Sequence, residues 1–128
     1  MKRNLISAAL AIACLLSFFS VRARAADNAE LLSLAAEAVA GGESYTVMVS
    51  VAAVLINRTE SEKYPQSLAA VIADAGIDVS SVTVSDRARR AALDALAGFD
   101  PTGGALRYSK SESRTGFKHL ATDGWSFY

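Results

Sequence analysis

Apolar positions fall along the chain in blocks of different period, and the blocks predict its elements. Leu31, Leu34, Ala35 and Ala38 share one stripe at helical spacing, and Gly41-Gly42 stops the run, so a helix is predicted over Ala29–Ala40. Glu37 lies about 60° from Leu34 on the same wheel, at the edge of the stripe. Two readings of it stand: a carboxylate bordering a cleft, or a solvated side chain. Ser44 is placed to cap the next block, Tyr45–Arg58 (YTVMVSVAAVLINR). Its Val and Ile content also suits a strand. Its length, about 14 residues without a turn signal, decides for a helix that is apolar nearly all round and therefore central.

A polar loop with Glu60, Glu62 and Lys63 leads to Tyr64-Pro65, and Ser67–Ala75 reads as a short helix stopped by Gly76. Residues 77–84 (IDVSSVTV) read as extended. Ser85 is a good cap for Asp86–Ala97, where Asp86 complements the positive helix end and Gly98 closes the helix. Asp100-Pro101-Thr102-Gly103-Gly104 is a turn cluster. Ala105–Ser109 and Trp125–Tyr128 read as short strands around a polar loop. The fold class is α+β, mostly helical, with a short C-terminal β element.

The first 25 residues stand apart. Lys2 and Arg3 precede an apolar run from Leu5 to Val21, which ends in Ala23-Arg24-Ala25. A basic start, an apolar stretch and small residues before a cut predict a secretory signal peptide over 1–25, leaving one domain over 26–128. The alternative is an N-terminal membrane anchor, for which about 17 residues is the bottom of the usable range. Membrane contact is therefore expected only through the transient signal. The full chain of 128 residues carries thirteen basic and thirteen acidic side chains. Removing the signal takes Lys2, Arg3, Arg22 and Arg24 and no acid, leaving nine against thirteen and a formal charge of −4. Without a basic surplus, no nucleic-acid partner is expected. Cys14, the one Cys, leaves with the signal, which excludes a disulfide framework and Cys-based zinc.

Little remains to carry chemistry. Phosphate-loop motifs are absent, and His119 is the single His, read as a solvated loop residue; a His-rich metal centre is excluded, oxygen-ligand sites stay open, and no cofactor or metal is expected. Carboxylates are left. Glu37 and Glu43 bracket the Gly-Gly turn, and a helix end beside such a turn makes a plausible cleft wall. Glycosidic cleavage needs a carboxylic acid to protonate the leaving oxygen. Spacing alone equally permits two solvated helix-end carboxylates. Tyr108, Trp125, Phe127 and Tyr128 offer faces for a sugar ring or packing between short strands. Arg87, Arg89 and Arg90 read as a solvated helix face, and Met48 as core.

The segment Glu37–Gly104 resembles the SleB/CwlJ-type cell wall hydrolase family. The likeness is carried by Glu37-Ala38 followed by Gly42-Glu43-Ser44-Tyr45, by the helix ending Asn57-Arg58, by Tyr64-Pro65, and by Asp100-Pro101-Thr102-Gly103-Gly104-Ala105-Leu106. It implies a lysozyme-like domain that acts on peptidoglycan glycan strands as a lytic transglycosylase, in wall remodelling or spore-cortex lysis. It further implies that Glu37 is the single acid/base, with Glu43 and Tyr45 shaping the cleft or orienting substrate. Tyr108 and Trp125 complete the expected substrate-binding set. No separate wall-binding module is evident, so a protein partner for localisation is a further expectation. The chain departs from the family pattern at several points. Five residues rather than about three separate the two Glu, a difference that a two-residue insertion such as Val39-Ala40 accounts for. The family's Gln-x-Gly-x-Phe is reduced to Asp74-Ala75-Gly76-Ile77-Asp78. Ser126 stands where a His is usual, and the Asn often found after Gly-Ala-Leu is absent at Tyr108-Ser109-Lys110.

Overall fold

Nine consecutive residues, Val47–Leu55, are buried in one helix, and the remaining elements are arranged around it. The computed structural model describes residues 27–111 and 119–128. The signal peptide expected over 1–25, and 112–118 of the polar loop, lie outside the described residues. Among the described residues, four helices occur in chain order: α1 (27–40), α2 (Tyr45–Thr59), α3 (Leu68–Asp74) and α4 (Asp86–Leu96). Three strands follow: β1 (Tyr108–Ser109), β2 (Leu120–Thr122) and β3 (Trp125–Phe127). Among the described residues no helix is long and apolar enough to cross a membrane.

Three serine caps set the helix starts. The hydroxyls of Ser44, Ser67 and Ser85 accept from the N–H groups of Val47, Ala70 and Ala88, at 3.3, 3.2 and 3.2 Å. Helix α2 runs through the centre with α3 and α4 packed on it. Each fully buried Val or Leu contributes roughly 1.5–3 kcal/mol, so α2 supplies the bulk of the core. The buried face of α4 is all alanine, Ala88, Ala91, Ala92 and Ala95, and these small side chains let the two helix backbones approach closely.

The face that α1 buries differs from the expected stripe. Leu32, Ser33, Ala35, Ala36 and Ala40 are buried, Leu34 is half-buried and Ala38 is exposed. Ser33 enters the core because its hydroxyl donates back to Ala29 O at 2.6 Å, which satisfies the polar group locally. With Ser33 counted as polar, the apolar stripe is displaced by about one residue, or 100°. Residues 77–84 form no strand; Asp78 instead ties Ser80 into a turn through the Ser80 N–H and hydroxyl.

The sheet is antiparallel in the order β1-β3-β2. Strand β2, inside the expected polar loop, forms a hairpin with β3 through Asp123-Gly124. Both turn residues have positive φ, 50° and 80°, as a two-residue hairpin turn requires. Within the expected strand Ala105–Ser109, only Tyr108 and Ser109 pair as strand. Leu106 and Arg107 instead donate their N–H groups to Tyr128 O, which extends the ladder irregularly.

The C-terminal end of α2 clasps the start of this sheet. Asn57 Nδ2 donates to Asp100 Oδ2 at 2.9 Å and to Ala105 O at 3.0 Å. Arg58 Nε donates to Leu106 O at 2.8 Å. Asp100 also accepts from Thr102 N, Thr102 Oγ1 and Gly104 N. Burial acts to raise its carboxyl, but the bonds from Thr102, Asn57 and Gly104 outweigh that and hold it below the usual carboxylate range. The Asn-Arg and Asp-Pro-Thr-Gly-Gly-Ala-Leu segments are thus two halves of one joint.

Candidate active site

At the other end of α2, four parts of the chain converge: the end of α1, the turn into α2, the start of α4 and the open end of the sheet. Glu37 is in the last turn of α1, with Gly41 N–H bonded to its carbonyl at 2.8 Å. Its carboxylate accepts from Ser85 Oγ at 2.7 Å and, more weakly, from Ser85 N at 3.4 Å. Ser85 also caps α4, so one hydroxyl joins Glu37 to the positive end of that helix. Between Glu37 and Glu43 the helix runs through residue 40 and the Gly41-Gly42 turn follows. Gly41 lies against Glu37: a Cβ there would sit 2.6 Å from the Glu37 carbonyl oxygen and 3.2 Å from Oε1. Glycine is therefore required where the turn closes on the carboxylate.

Glu43 follows on that turn and is half-buried. Lys110 Nζ, at the end of β1, lies 2.8 Å from Glu43 Oε1. This pairing pulls the Glu43 carboxyl below its ordinary range against a smaller opposing effect of desolvation. The buried indole N–H of Trp125 adds a weaker push in the same direction without making a hydrogen bond among the described residues. Arg87 Nη1 donates to Glu43 O at 3.0 Å, so one member of the expected solvated basic face in fact holds the turn. Ser44 Oγ donates to Asp123 Oδ2 at 2.7 Å, fixing the β2–β3 turn to the cap of α2.

Glu37 and Glu43 therefore both meet the start of α4, through Ser85 and Arg87, whereas Tyr45 reaches farther along that helix, and each is already engaged. The Tyr45 hydroxyl bonds to Asp94 on α4, and that bond, with burial and the Asp94 charge, raises its pKa and keeps it protonated. Tyr108 and Trp125 lie 6.1 Å apart between ring centroids, and Lys110 Nζ lies 6.0 Å from the Trp125 ring. Tyr108 is pushed up by burial, against the nearby Arg58 charge. Trp125 is only 4% exposed and stacks on Phe127, so it supports the site from beneath. Sequence reasoning missed Ser85 as the partner of Glu37, Lys110 as the partner of Glu43, and Asp123. Ser85 was legible as a cap and Asp123-Gly124 as a turn signal; nothing local marks Lys110. Among the described residues no three His, Cys, Asp or Glu side chains gather to hold a metal.

A sequence model described as Cell Wall Hydrolase matches residues 42–124. The match opens at Gly42, and Glu37 stands outside it. The chain is 38% identical over 108 residues to a spore cortex-lytic enzyme of Halalkalibacterium halodurans, covering 77% of this chain and 30% of that protein. It is 36% identical over 98 residues to the spore cortex-lytic enzyme of Bacillus subtilis, covering 70% and 31%. The chain thus spans about a third of the length of these curated relatives. Its fold matches the catalytic domain of the germination-specific lytic transglycosylase SleB from Bacillus anthracis, with a TM-score of 0.64 and 29% identity. That match covers 78% of this chain and 92% of that domain. The catalytic domain of Bacillus cereus SleB matches with the same TM-score and identity.

Proposed function

The chain belongs to the cell wall hydrolase family, and we propose that it is an exported enzyme that cleaves peptidoglycan glycan strands between N-acetylmuramic acid and N-acetylglucosamine. The proposed reaction is lytic transglycosylation with Glu37 as the single acid/base. One observation carries the choice of Glu37. Of the two carboxylates flanking the Gly-Gly turn, Glu43 is paired with Lys110 and held ionised, which unfits it to donate a proton. Among the described residues Glu37 has a hydroxyl and an N–H as partners, and both tolerate a protonated carboxyl.

In this scheme Glu37 first gives its proton to the glycosidic oxygen as the bond from C1 to that oxygen breaks. Its carboxylate then takes the proton of the muramoyl 6-hydroxyl while that oxygen bonds to C1, closing a 1,6-anhydro ring and restoring the acid. Glu43 keeps its negative charge close by and orients substrate through hydroxyl or amide N–H groups. Tyr45 and Tyr108 form the rim, and Trp125 backs it. The basic-apolar opening with its Ala-x-Ala end supports action outside the cytoplasmic membrane, in the wall or a spore envelope. A partner protein would localise the chain there.

The test is release of anhydro-muropeptides from purified peptidoglycan, read by mass. Glu37→Gln should abolish release while leaving the thermal unfolding midpoint nearly unchanged. Full product from that variant removes the assignment. A second reading, a glycan-binding member that does not cut, draws on the fact that both carboxylates are already bonded in the structure. Retention on sedimented peptidoglycan with no product would select it.

A further inference from the structure

The indole N–H of Trp125 is a buried donor with nothing to bond to. Trp125 is 4% exposed, and its Nε1 has no hydrogen-bond partner among the described residues. A buried donor without an acceptor costs stability, and folded proteins keep few of them. Such an orphan marks a place where a partner arrives or a neighbour moves. A carboxylate stands beside this one. Lys110 Nζ lies 2.8 Å from Glu43 Oε1 and 6.0 Å from the centre of the Trp125 ring, so one ammonium group bonds the acid and overlies the indole. The indole also draws the Glu43 carboxyl in the same direction as Lys110 does, less strongly.

Two donors thus stand at one acid, and they differ in kind. The Lys110 side chain is 69% exposed and follows directly on β1, a strand of two residues. An exposed ion pair of this sort is weak and is readily traded for water or another partner. Trp125 is fixed. It sits in β3 opposite Thr122, and its ring packs on those of Tyr108 and Phe127. Glu43 lies between the two, with its side chain 23% exposed. Arg87 holds the Glu43 carbonyl, so a change of partner needs only rotation of the Glu43 side chain.

We infer that Trp125 is a positioning residue for Glu43: when Lys110 leaves, the carboxylate turns onto the indole N–H, which holds one oxygen inward and frees the other for substrate. In the free protein Lys110 covers that second oxygen, and a hydroxyl or amide N–H of the glycan replaces it. The indole is a neutral donor, so the acid keeps its full charge toward the substrate after the exchange. This role rests on the proposed function of Glu43 in orienting substrate, and it adds the group that fixes the acid there.

The chain has one Trp, so its indole N–H gives a single signal in the NMR spectrum of the nitrogen-labelled protein, and that signal is the readout. Lys110→Met removes the charge and keeps a side chain of similar length over the ring. At neutral pH this variant should show the indole proton moved downfield and its exchange with water slowed by about ten-fold or more, the mark of a new bond to a charged acceptor. Adding Glu43→Gln to Lys110→Met should take most of that change away. On peptidoglycan, Trp125→Phe should raise KM more than it lowers kcat, with the unfolding midpoint as the control for folding. An indole signal unmoved in Lys110→Met, a shift that survives Glu43→Gln, or a Trp125→Phe protein that folds and loses only kcat would overturn the inference. If Trp125→Phe fails to fold, the indole signal decides by itself. A protein that shows the indole shift but releases no product keeps the exchange of partners and loses the reading as a glycan-cleaving enzyme.

Discussion

Replacing Asp100 with alanine removes one carboxylate that four donors share: Asn57 Nδ2, Thr102 N, Thr102 Oγ1 and Gly104 N, at 2.9, 2.8, 2.6 and 2.8 Å. The cost follows from what each donor finds afterwards. Gly104 N–H is exposed and turns to water. Asn57 keeps Ala105 O, and Thr102 Oγ1 still accepts from Ala105 N. Thr102 N–H, in a residue 2% exposed, has the poorest replacement. Bonds to a charged acceptor contribute roughly 1.5–3 kcal/mol when well buried, and the partial exposure here puts these at or below the low end, so the sum is about 2–4 kcal/mol. For a domain of this size that lowers Tm by roughly 10–25 °C. Urea and thermal unfolding followed by circular dichroism read the effect. Asp100→Asn, which keeps an acceptor but loses the charge, should fall between the two.

The pH dependence gives an independent check. Because the folded Asp100 carboxyl is held below its unfolded value of about 3.9, the contribution is fully present above that pH and is lost as pH falls through the folded pKa. The gap between parent and Asp100→Ala should therefore be constant from pH 5 to 7 and narrow below about pH 4. An Asp100→Ala protein within about 1 kcal/mol of the parent at neutral pH would refute the account of the joint.

Other outcomes are expected from the same geometry. Glu37→Gln should lower product release by at least about 100-fold, the range for loss of a positioned acid/base, with stability little changed because the amide oxygen still accepts from Ser85. Ser85→Ala should cost about 1 kcal/mol as a lost helix cap and lower kcat more than it raises KM, because Glu37 loses its fixed orientation; Ser85→Thr should restore both. Lys110→Ala should move the Glu43 carboxyl back up toward its ordinary value, read by NMR titration of that side chain. Gly124→Ala, at φ 80°, should destabilise the β2–β3 hairpin by about 1–2 kcal/mol, read by urea unfolding.

The helices were legible because their signals are local. An unbroken apolar run marks α2, and Ser44 and Ser85 stand one residue before the helices they cap. The buried face of α1 was not, since a serine that bonds its own helix passes for a polar surface residue in any count of apolar positions. Strand β2 was hidden by its brevity, although the Asp123-Gly124 turn beside it was a usable signal. The candidate site divides along the same line. Glu37, Glu43 and Tyr45 sit close together in sequence, beside a Gly-Gly turn that shows. Their partners Ser85, Lys110 and Asp94 lie 48, 67 and 49 residues further on, and only the packing of α4 and β1 brings them in.

Strands of two and three residues cannot persist alone, so this sheet owes its place to what grips it. The Asn57–Arg58 clasp grips one end, and the Lys110–Glu43 and Ser44–Asp123 contacts grip the other. Between the two grips run all three strands, paired in the order β1-β3-β2, so the sheet is held at both ends and by its own ladder between them. Loosening the clasp should therefore be felt at the far grip. In an Asn57 variant, amide exchange at Ser109 and Trp125 should quicken together with that at Leu106, while the middle of α2 stays protected.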